Sequence, residues 1–385
     1  MKFPVYLDNN ATTPVDPEVL HAMLPYYKEK FGNASSKSHK FGIEASEAVD
    51  FYREQTANLV GAGKDEIVFT SGATESVNLA LKGASMANSS KGKHIVTSKV
   101  EHKAVLDSCR FLEKIGFEIT YLDVDEYGLI DIEELKKSLN VDTILVSIIT
   151  ANNEIGTIQP IAEIAEICKK MNILFHTDAT QAAGKIPVDV KEMNIDLLSF
   201  SAHKMYGPKG VGALYIKRNS EKISLVEQIS GGRHEQGLRS GTLNVPGIVG
   251  FGKACRLSKD LLYDENQRLT VYRDRMINNI LQNVNGAVLN GHPAKRLPNN
   301  VNFCFEGLNS NIIISELKEL AISAGSACIS GNTEPSYVLK AIGRSDELAD
   351  SSIRISFGRF NTDEEVKYSI KRVVEGINKL RNRIL

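Results

Sequence analysis

The chain has 385 residues, 42% of them apolar, which exceeds one ordinary domain and can fill a large core. Lys plus Arg number 46 against 47 for Asp plus Glu, a net charge of -1, which argues against a nucleic-acid partner or a polybasic membrane patch. No apolar run approaches the ~18 residues of a membrane span, and the opening MKFPVYLDNN lacks a hydrophobic signal segment, so a cytoplasmic protein is expected.

From about residue 17 to residue 250, short apolar runs alternate with amphipathic helical patterns: IVFT, HIVTSKV, EITYLDV, TILVSII, ILFHTD, DLLSFSA and GALYIK. Such alternation predicts an α/β unit with a mostly parallel sheet covered on both faces. The first run, residues 67–69, enters TSGATE before a helical stretch at 77–82. Gly72 permits a tight turn there, and the amides of Ala73 and Thr74 with the Thr74 hydroxyl open the helix toward an anion. No GK[ST] follows, so this is not a mononucleotide loop; a plain capped helix start would read the same way. The run at 94–100 leads to His102, which by itself reads as a packed or capping histidine. Residues 143–151 form the longest apolar run and are expected to be one buried strand. Asn152 and Asn153 then precede Gly156 and indicate a turn.

The stretch from 175 to 210 carries the strongest chemistry. Residues 173–176 read as a short buried strand ending at Asp178. Residues 195–200 read as another, ending at Ser201, Ala202, His203 and Lys204. In a mostly parallel sheet ligands lie outside the carboxyl ends of the strands, so Asp178 and Lys204 can reach one bound molecule. A lysine amine holds an aldehyde cofactor as a Schiff base, and a carboxylate against a pyridinium nitrogen keeps that ring protonated; the pair predicts a pyridoxal phosphate site. An N-cap and a solvated lysine are the ordinary alternative.

After residue 250 the pattern changes to a charged helical region, 253–283, and then to alternating strands such as NNVNFCF with helices between them. The domain boundary is placed near 257. Five cysteines are an odd number, with no CxxC or metal-ligand spacing, so neither a disulfide framework nor a metal site is expected. Cys109, Cys168 and Cys255 fall in helical patterns and Cys304 in an alternating strand, where a cysteine acts as a small buried hydrophobe. Cys328 differs: LAISAGSACISG sets it among small residues between Gly325 and Gly331, as in a mobile exposed loop. It is a candidate nucleophile or an ordinary surface thiol. Arg354, in the alternating stretch 353–357, reads as an outward, solvated arginine.

Taken together the motifs YLDNNATTP, FGNASSKSHKFG, FTSGATES, SKVEHKAVLDSCR, ANNEIGTIQP, TDATQAAGK, SFSAHKMYGPKGVGALY, RSGTLNVPGIVG, SAGSACISG, EPSYVLKAIG and SSIRISFGRF run almost end to end. In this ordered set the chain resembles the cysteine desulfurases of the NifS/IscS group, which are class V aminotransferase-like enzymes of pyridoxal phosphate fold type I. The resemblance implies a seven-stranded sheet flanked by helices in a large cofactor-binding domain, 15–257, and a smaller α+β domain that carries the cysteine loop, 258–385 joined by 1–14.

It also implies roles. Lys204 matches the lysine that forms the Schiff base, Asp178 the partner of the ring nitrogen, and Gln181 the donor to the cofactor's phenolic oxygen. His102 matches the histidine that stacks on the ring and shuttles protons, and Asn153 a residue near both cofactor and substrate. Ala73, Thr74, Ser201 and His203 match the phosphate-binding positions, and Thr242 a phosphate ligand donated by the neighbouring subunit, which implies a homodimer. Arg354 matches the receiver of the substrate carboxylate, a task suited to a bidentate guanidinium. Cys328 matches the nucleophile that takes sulfur from L-cysteine as a persulfide, leaving L-alanine. The sulfur then goes to an acceptor such as an iron–sulfur scaffold protein, which can share a cluster with Cys328, or to a thiol carrier. Ala324 and Ile329 depart from the usual Ser and Thr of that loop. A selenocysteine lyase-like β-lyase would use the same cofactor site, whereas an aminotransferase of the same fold would need no loop thiol.

Overall fold

The structure, a computed structural model, describes residues 1–218, 223–324 and 335–383. Seven strands form the large sheet: β1 (Ile67–Thr70), β2 (His94–Ser98), β3 (Glu118–Leu122), β4 (Thr143–Ser147), β5 (Leu174–Asp178), β6 (Leu197–Ser201) and β7 (Gly212–Ile216). Their spatial order is β1-β7-β6-β5-β4-β2-β3. The pairs from β6 through β3 are parallel, and β7 is antiparallel to both of its neighbours. Every residue of β1, β2, β4, β5, β6 and β7 is buried, whereas the edge strand β3 is only partly so. That explains the unbroken apolar runs of the sequence: a strand covered on both faces has no solvent side to mark with polar residues.

One face of the sheet packs Val146, Phe175 and Phe200 against Ile248 and Phe251. The other packs Ile95, Leu145, Leu174, Leu197 and Leu214 against Val105 and Leu112. A separate cluster gathers Val5 and Leu7 with apolar residues between Leu269 and Leu380. It lies on an antiparallel sheet of β8 (Ala287–Leu289), β9 (Asn300–Phe305), β10 (Ser323–Ala324) and β11 (Ile353–Ser356), in the order β10-β11-β9-β8. The N-terminal strand Val5–Tyr6 pairs in parallel with Leu320–Ala321, and Asp8 bridges to Ser356.

Three local expectations are corrected. The apolar run 143–151 is a strand only to Ser147; beyond it the Ile149 amide donates to the Glu101 carboxylate at 2.8 Å, while the Ile148 and Thr150 amides still donate to the carbonyls of His176 and Asp178 in β5. The helix expected at 77–82 starts at Ala73, at the end of the turn, and passes through a π turn, Leu79–Gly83. The charged region 253–283 is two helices, Val245–Asp260 and Leu262–Asn283; the first begins earlier than the charges indicate because Asn244 caps it and Pro246 suits its first turn. No helix among the described residues is long and apolar enough to cross a membrane.

Candidate active site

β5 and β6 are adjacent and parallel, with Asp178 opposite Ser199. Their carboxyl ends therefore open on one side, and the short turn Ala202–Lys204 carries the lysine over the end of β5. The result is a cleft of 530 Å³ lined by Asp178, Lys204, His102, Gln181, Asn153, Thr180, Ser201, His203, Lys209 and the turn 71–75, and closed on one side by Asn10, Ala11 and Thr12. This volume lies within the ~300–1,000 Å³ usual for small-molecule sites.

Each wall has a local cause. Gly72 adopts φ 155° and ψ 177°, a combination open essentially to glycine alone, and this turns β1 sharply into the helix Ala73–Asn78. The first amides of that helix lack acceptors one turn back and so remain available to an anion. A methyl group at Gly72 would face Ser201 Oγ at 3.8 Å, so the turn and the end of β6 border the same space. Glu75 is drawn aside by Arg239 Nε at 2.9 Å and by the Ser71 amide at 2.8 Å. Burial opposes ionisation of Glu75, but those hydrogen bonds outweigh it and hold its carboxyl below the usual range.

Lys204 Nζ donates to the carbonyls of Asn10 at 2.7 Å and Ala11 at 2.6 Å. Asp178 is 4% exposed and accepts from the Thr180 amide at 2.9 Å. His102 caps the helix Lys103–Lys114, its Nδ1 accepting from the Ala104 amide at 3.1 Å. That bond assigns the neutral ring's proton to Nε2. Burial depresses the His102 pKa, with Asp178 opposing and Lys204 reinforcing the shift. His203 is pushed down to about 4 by burial and by Lys204, Lys209 and Lys185, and its Nδ1 lies 3.1 Å from Thr12 Oγ1. Both imidazoles are therefore neutral at pH 7.

Two expected residues lie apart from this cleft. Arg354 is 1% exposed, not solvated as its alternating stretch indicates: β11 buries it, and its Nη2 pairs with Asp8 Oδ1 at 2.8 Å while Nη1 donates to Asn153 O at 3.1 Å. It is not a lining residue, but its Nε has no hydrogen-bond partner among the described residues. Thr242 is exposed and lines no part of the cleft. Cys328 lies outside the described residues. The remaining cysteines, Cys109, Cys168, Cys255 and Cys304, are buried, and burial raises the pKa of the Cys109, Cys255 and Cys304 thiols, which suits inert packing. Among the described residues no group of His, Cys, Asp or Glu is arranged to hold a metal ion.

Asn10, Ala11, Thr12, Asp8, Thr180 and Lys209 escaped the sequence reading. YLDNNATTP served only as one of the motifs of the family resemblance, and nothing local in it shows that it crosses to the end of β6. The donor set fits pyridoxal phosphate: helix amides, Ser201 and His203 at one end, the buried Asp178 carboxylate, Lys204, and the Thr180 hydroxyl, which is buried without a partner among the described residues. The Aminotransferase class-V family model matches residues 5–368. Cysteine desulfurase IscS of Anaeromyxobacter sp. (strain Fw109-5) is 54% identical over 381 residues, covering 99% of this chain and 94% of that protein. Among solved structures, a NifS-like protein aligns with a TM-score of 0.90 at 39% identity, covering 97% of this chain and 99% of its own. SspA in complex with cysteine aligns with a TM-score of 0.82 at 39% identity, covering 93% and 100%. The chain belongs to the class-V aminotransferase family.

Proposed function

We propose that this protein is a pyridoxal phosphate-dependent cysteine desulfurase that converts L-cysteine to L-alanine and holds the sulfur on Cys328 as a persulfide. The observation that carries the proposal is the placement of Asp178 and Lys204 at neighbouring strand ends in one cleft with a helix N-terminus, in a chain more than half identical to a cysteine desulfurase. When bound, the cofactor supplies an aldehyde for a lysine amine and a ring that accepts the electrons released at an amino acid's α-carbon.

The protein's own groups do the rest. Ser201, His203, Thr74 and the amides from Ala73 onward take the phosphate, and Asp178 holds a proton on the ring nitrogen. Lys204, held by the carbonyls of Asn10 and Ala11, would be the amine that binds the cofactor's aldehyde and the group that would move the α-proton. His102, neutral with its proton on Nε2, lines the cleft and would stack on the cofactor ring, from where it could donate that proton. Asn153 and Arg354 take the substrate carboxylate, with Asp8 holding the guanidinium plane. Cys328, as a thiolate, bonds to the substrate sulfur; the C–S bond breaks with its electron pair left on carbon, and protonation of that carbon yields alanine.

The active unit is a homodimer in which Thr242 serves the partner's cofactor, consistent with its exposure away from the cleft of its own chain. Leu20, Leu24 and Tyr27 are exposed, as are Phe31 and Phe41, which stack on each other and suit that contact. The enzyme acts in the cytoplasm and passes its sulfur to an iron–sulfur scaffold or a thiol carrier. Visible absorbance of the purified protein before and after L-cysteine, with alanine and persulfide assays on wild type and Cys328→Ala, tests the reading. A yellow band, alanine release and loss of persulfide in the variant are expected; persulfide made equally well by the variant would refute the assignment of Cys328.

A further inference from the structure

Lys185 has no role in the chemistry above, yet it is 9% exposed and lies against the cleft's wall. It follows Gln181 by one turn of the chain, and its carbonyl is fixed by Asn266 Nδ2 at 3.0 Å. Among the described residues it has no carboxylate partner; its Nζ donates to Gln181 Oε1 at 2.7 Å. Burying an amine in this way is costly without a compensating function. The same Gln181 amide donates through Nε2 to Asn10 O at 2.8 Å, the carbonyl that also accepts from Lys204 Nζ.

A free glutamine amide can present either its oxygen or its nitrogen to a ligand. We propose that Lys185 is a positioning residue that keeps Gln181 Oε1 turned away from the cleft, so that Nε2 gives one hydrogen to Asn10 and the other to the ring oxygen of bound pyridoxal phosphate. The inference rests on the cofactor reading of the cleft. Burial, with Lys204 and Arg354 nearby, depresses the Lys185 ammonium; the amine donates a hydrogen bond in either charge state, so the role does not depend on ionisation. Without Lys185 only the bond from Nε2 to Asn10 O holds the amide, and its oxygen can turn toward the cofactor's oxygen at the cost of that bond. The donor that spreads charge away from the lysine–cofactor Schiff base is then lost, and the Schiff base holds its proton to higher pH.

The test uses holoenzymes of wild type, Lys185→Met, Gln181→Leu and the double variant, each titrated by visible absorbance, with cofactor affinity measured on the apoproteins. Asp178, His102, His203 and Lys204, which also face the cleft, are the same in all four. Lys185→Met is expected to titrate about one pH unit higher than wild type, the scale of one lost hydrogen bond, and to bind the cofactor several-fold more weakly. Gln181→Leu should shift likewise, and adding Lys185→Met to it should shift nothing further. A Lys185→Met titration that overlays wild type, or an equal shift in the Gln181→Leu background, would overturn the proposal while leaving the cofactor reading intact. A wild type with no visible band after cofactor addition would overturn that reading and this inference with it. If Lys185→Met does not fold, a crystal structure of the wild-type holoenzyme decides: Oε1 held by Lys185 supports the proposal, and Oε1 turned to the cofactor sinks it.

Discussion

Lys204 owes its place to two carbonyls that are remote in sequence, so its chemistry and its anchoring can be separated experimentally. Lys204→Ala is expected to retain cofactor non-covalently, to lose the Schiff-base absorbance, and to lose activity by about 10²–10⁴-fold, the usual contribution of a positioned proton-transfer group; absorbance and alanine release measure the two effects. A second residue-scale consequence concerns Glu101, which is fully buried. Its Oε1 accepts from Ser98 Oγ and the Ile149 amide, while its Oε2 has no partner among the described residues. Burial raises its pKa to about 8, with Asp178 adding to the shift and the two hydrogen bonds opposing it. A carboxyl whose folded pKa lies above its unfolded value of 4.5 binds its proton more tightly in the folded state. Its contribution to stability is therefore full below about pH 4.5 and is lost as pH rises through about 8, by an amount on the order of 5 kcal/mol. Glu101→Gln should lack this loss, so denaturant unfolding at pH 5 and pH 8 should show the variant gaining on wild type as pH rises. A gap that stays constant with pH would mean that Glu101 is ionised throughout.

At the scale of elements, the phosphate cradle depends on two backbones in close approach. A methyl group at Gly212 in β7 would lie 2.7 Å from Gly72 Cα, a collision with backbone and not with a yielding side chain. Gly212→Ala should lower stability by about 1–3 kcal/mol in urea unfolding and weaken cofactor binding in parallel, since the same shift displaces the turn that opens the helix. This pairing was not legible in the sequence: Gly72 announced a turn, but which strand would press against it depends on the antiparallel insertion of β7 between β1 and β6. What was legible follows from burial on both faces. The apolar runs marked all seven strands, and their polar endings marked Asp178, Ser201, His203 and Lys204. Side-chain capture of a backbone group left no such trace. Ile149 reads as strand by composition, and only the fold shows that Glu101 takes its amide while Ile148 and Thr150 on either side still bond to β5. Arg354 was misread for the same reason, because its alternating stretch does not reveal that Asp8 returns to pair with it.

For the molecule as a whole, the exposed apolar surface is the feature most in need of a partner. Phe31 and Phe41 stack with ring centroids 5.2 Å apart, yet are 65% and 47% exposed. If the homodimer proposed above is formed through this surface, replacing both by Asp should give a monomer in light scattering and reduce cofactor retention, since the proposed role of Thr242 needs the partner; a variant that remains dimeric would place the interface elsewhere. The N-terminal segment has a different bearing on the intact chain. Val5 and Tyr6 find their strand partner at 320–321, Asp8 finds Ser356, and the next few residues supply the carbonyls that hold Lys204 and Gln181. Residues 5–8 are thus placed by partners more than 300 positions further along the chain. During synthesis the large sheet can assemble from residues 67–216 while the wall of its cleft waits for a partner strand that does not yet exist. The cleft wall is therefore completed only after residues 320–356 have joined the fold, so the cofactor binding proposed above is expected to follow formation of both cores.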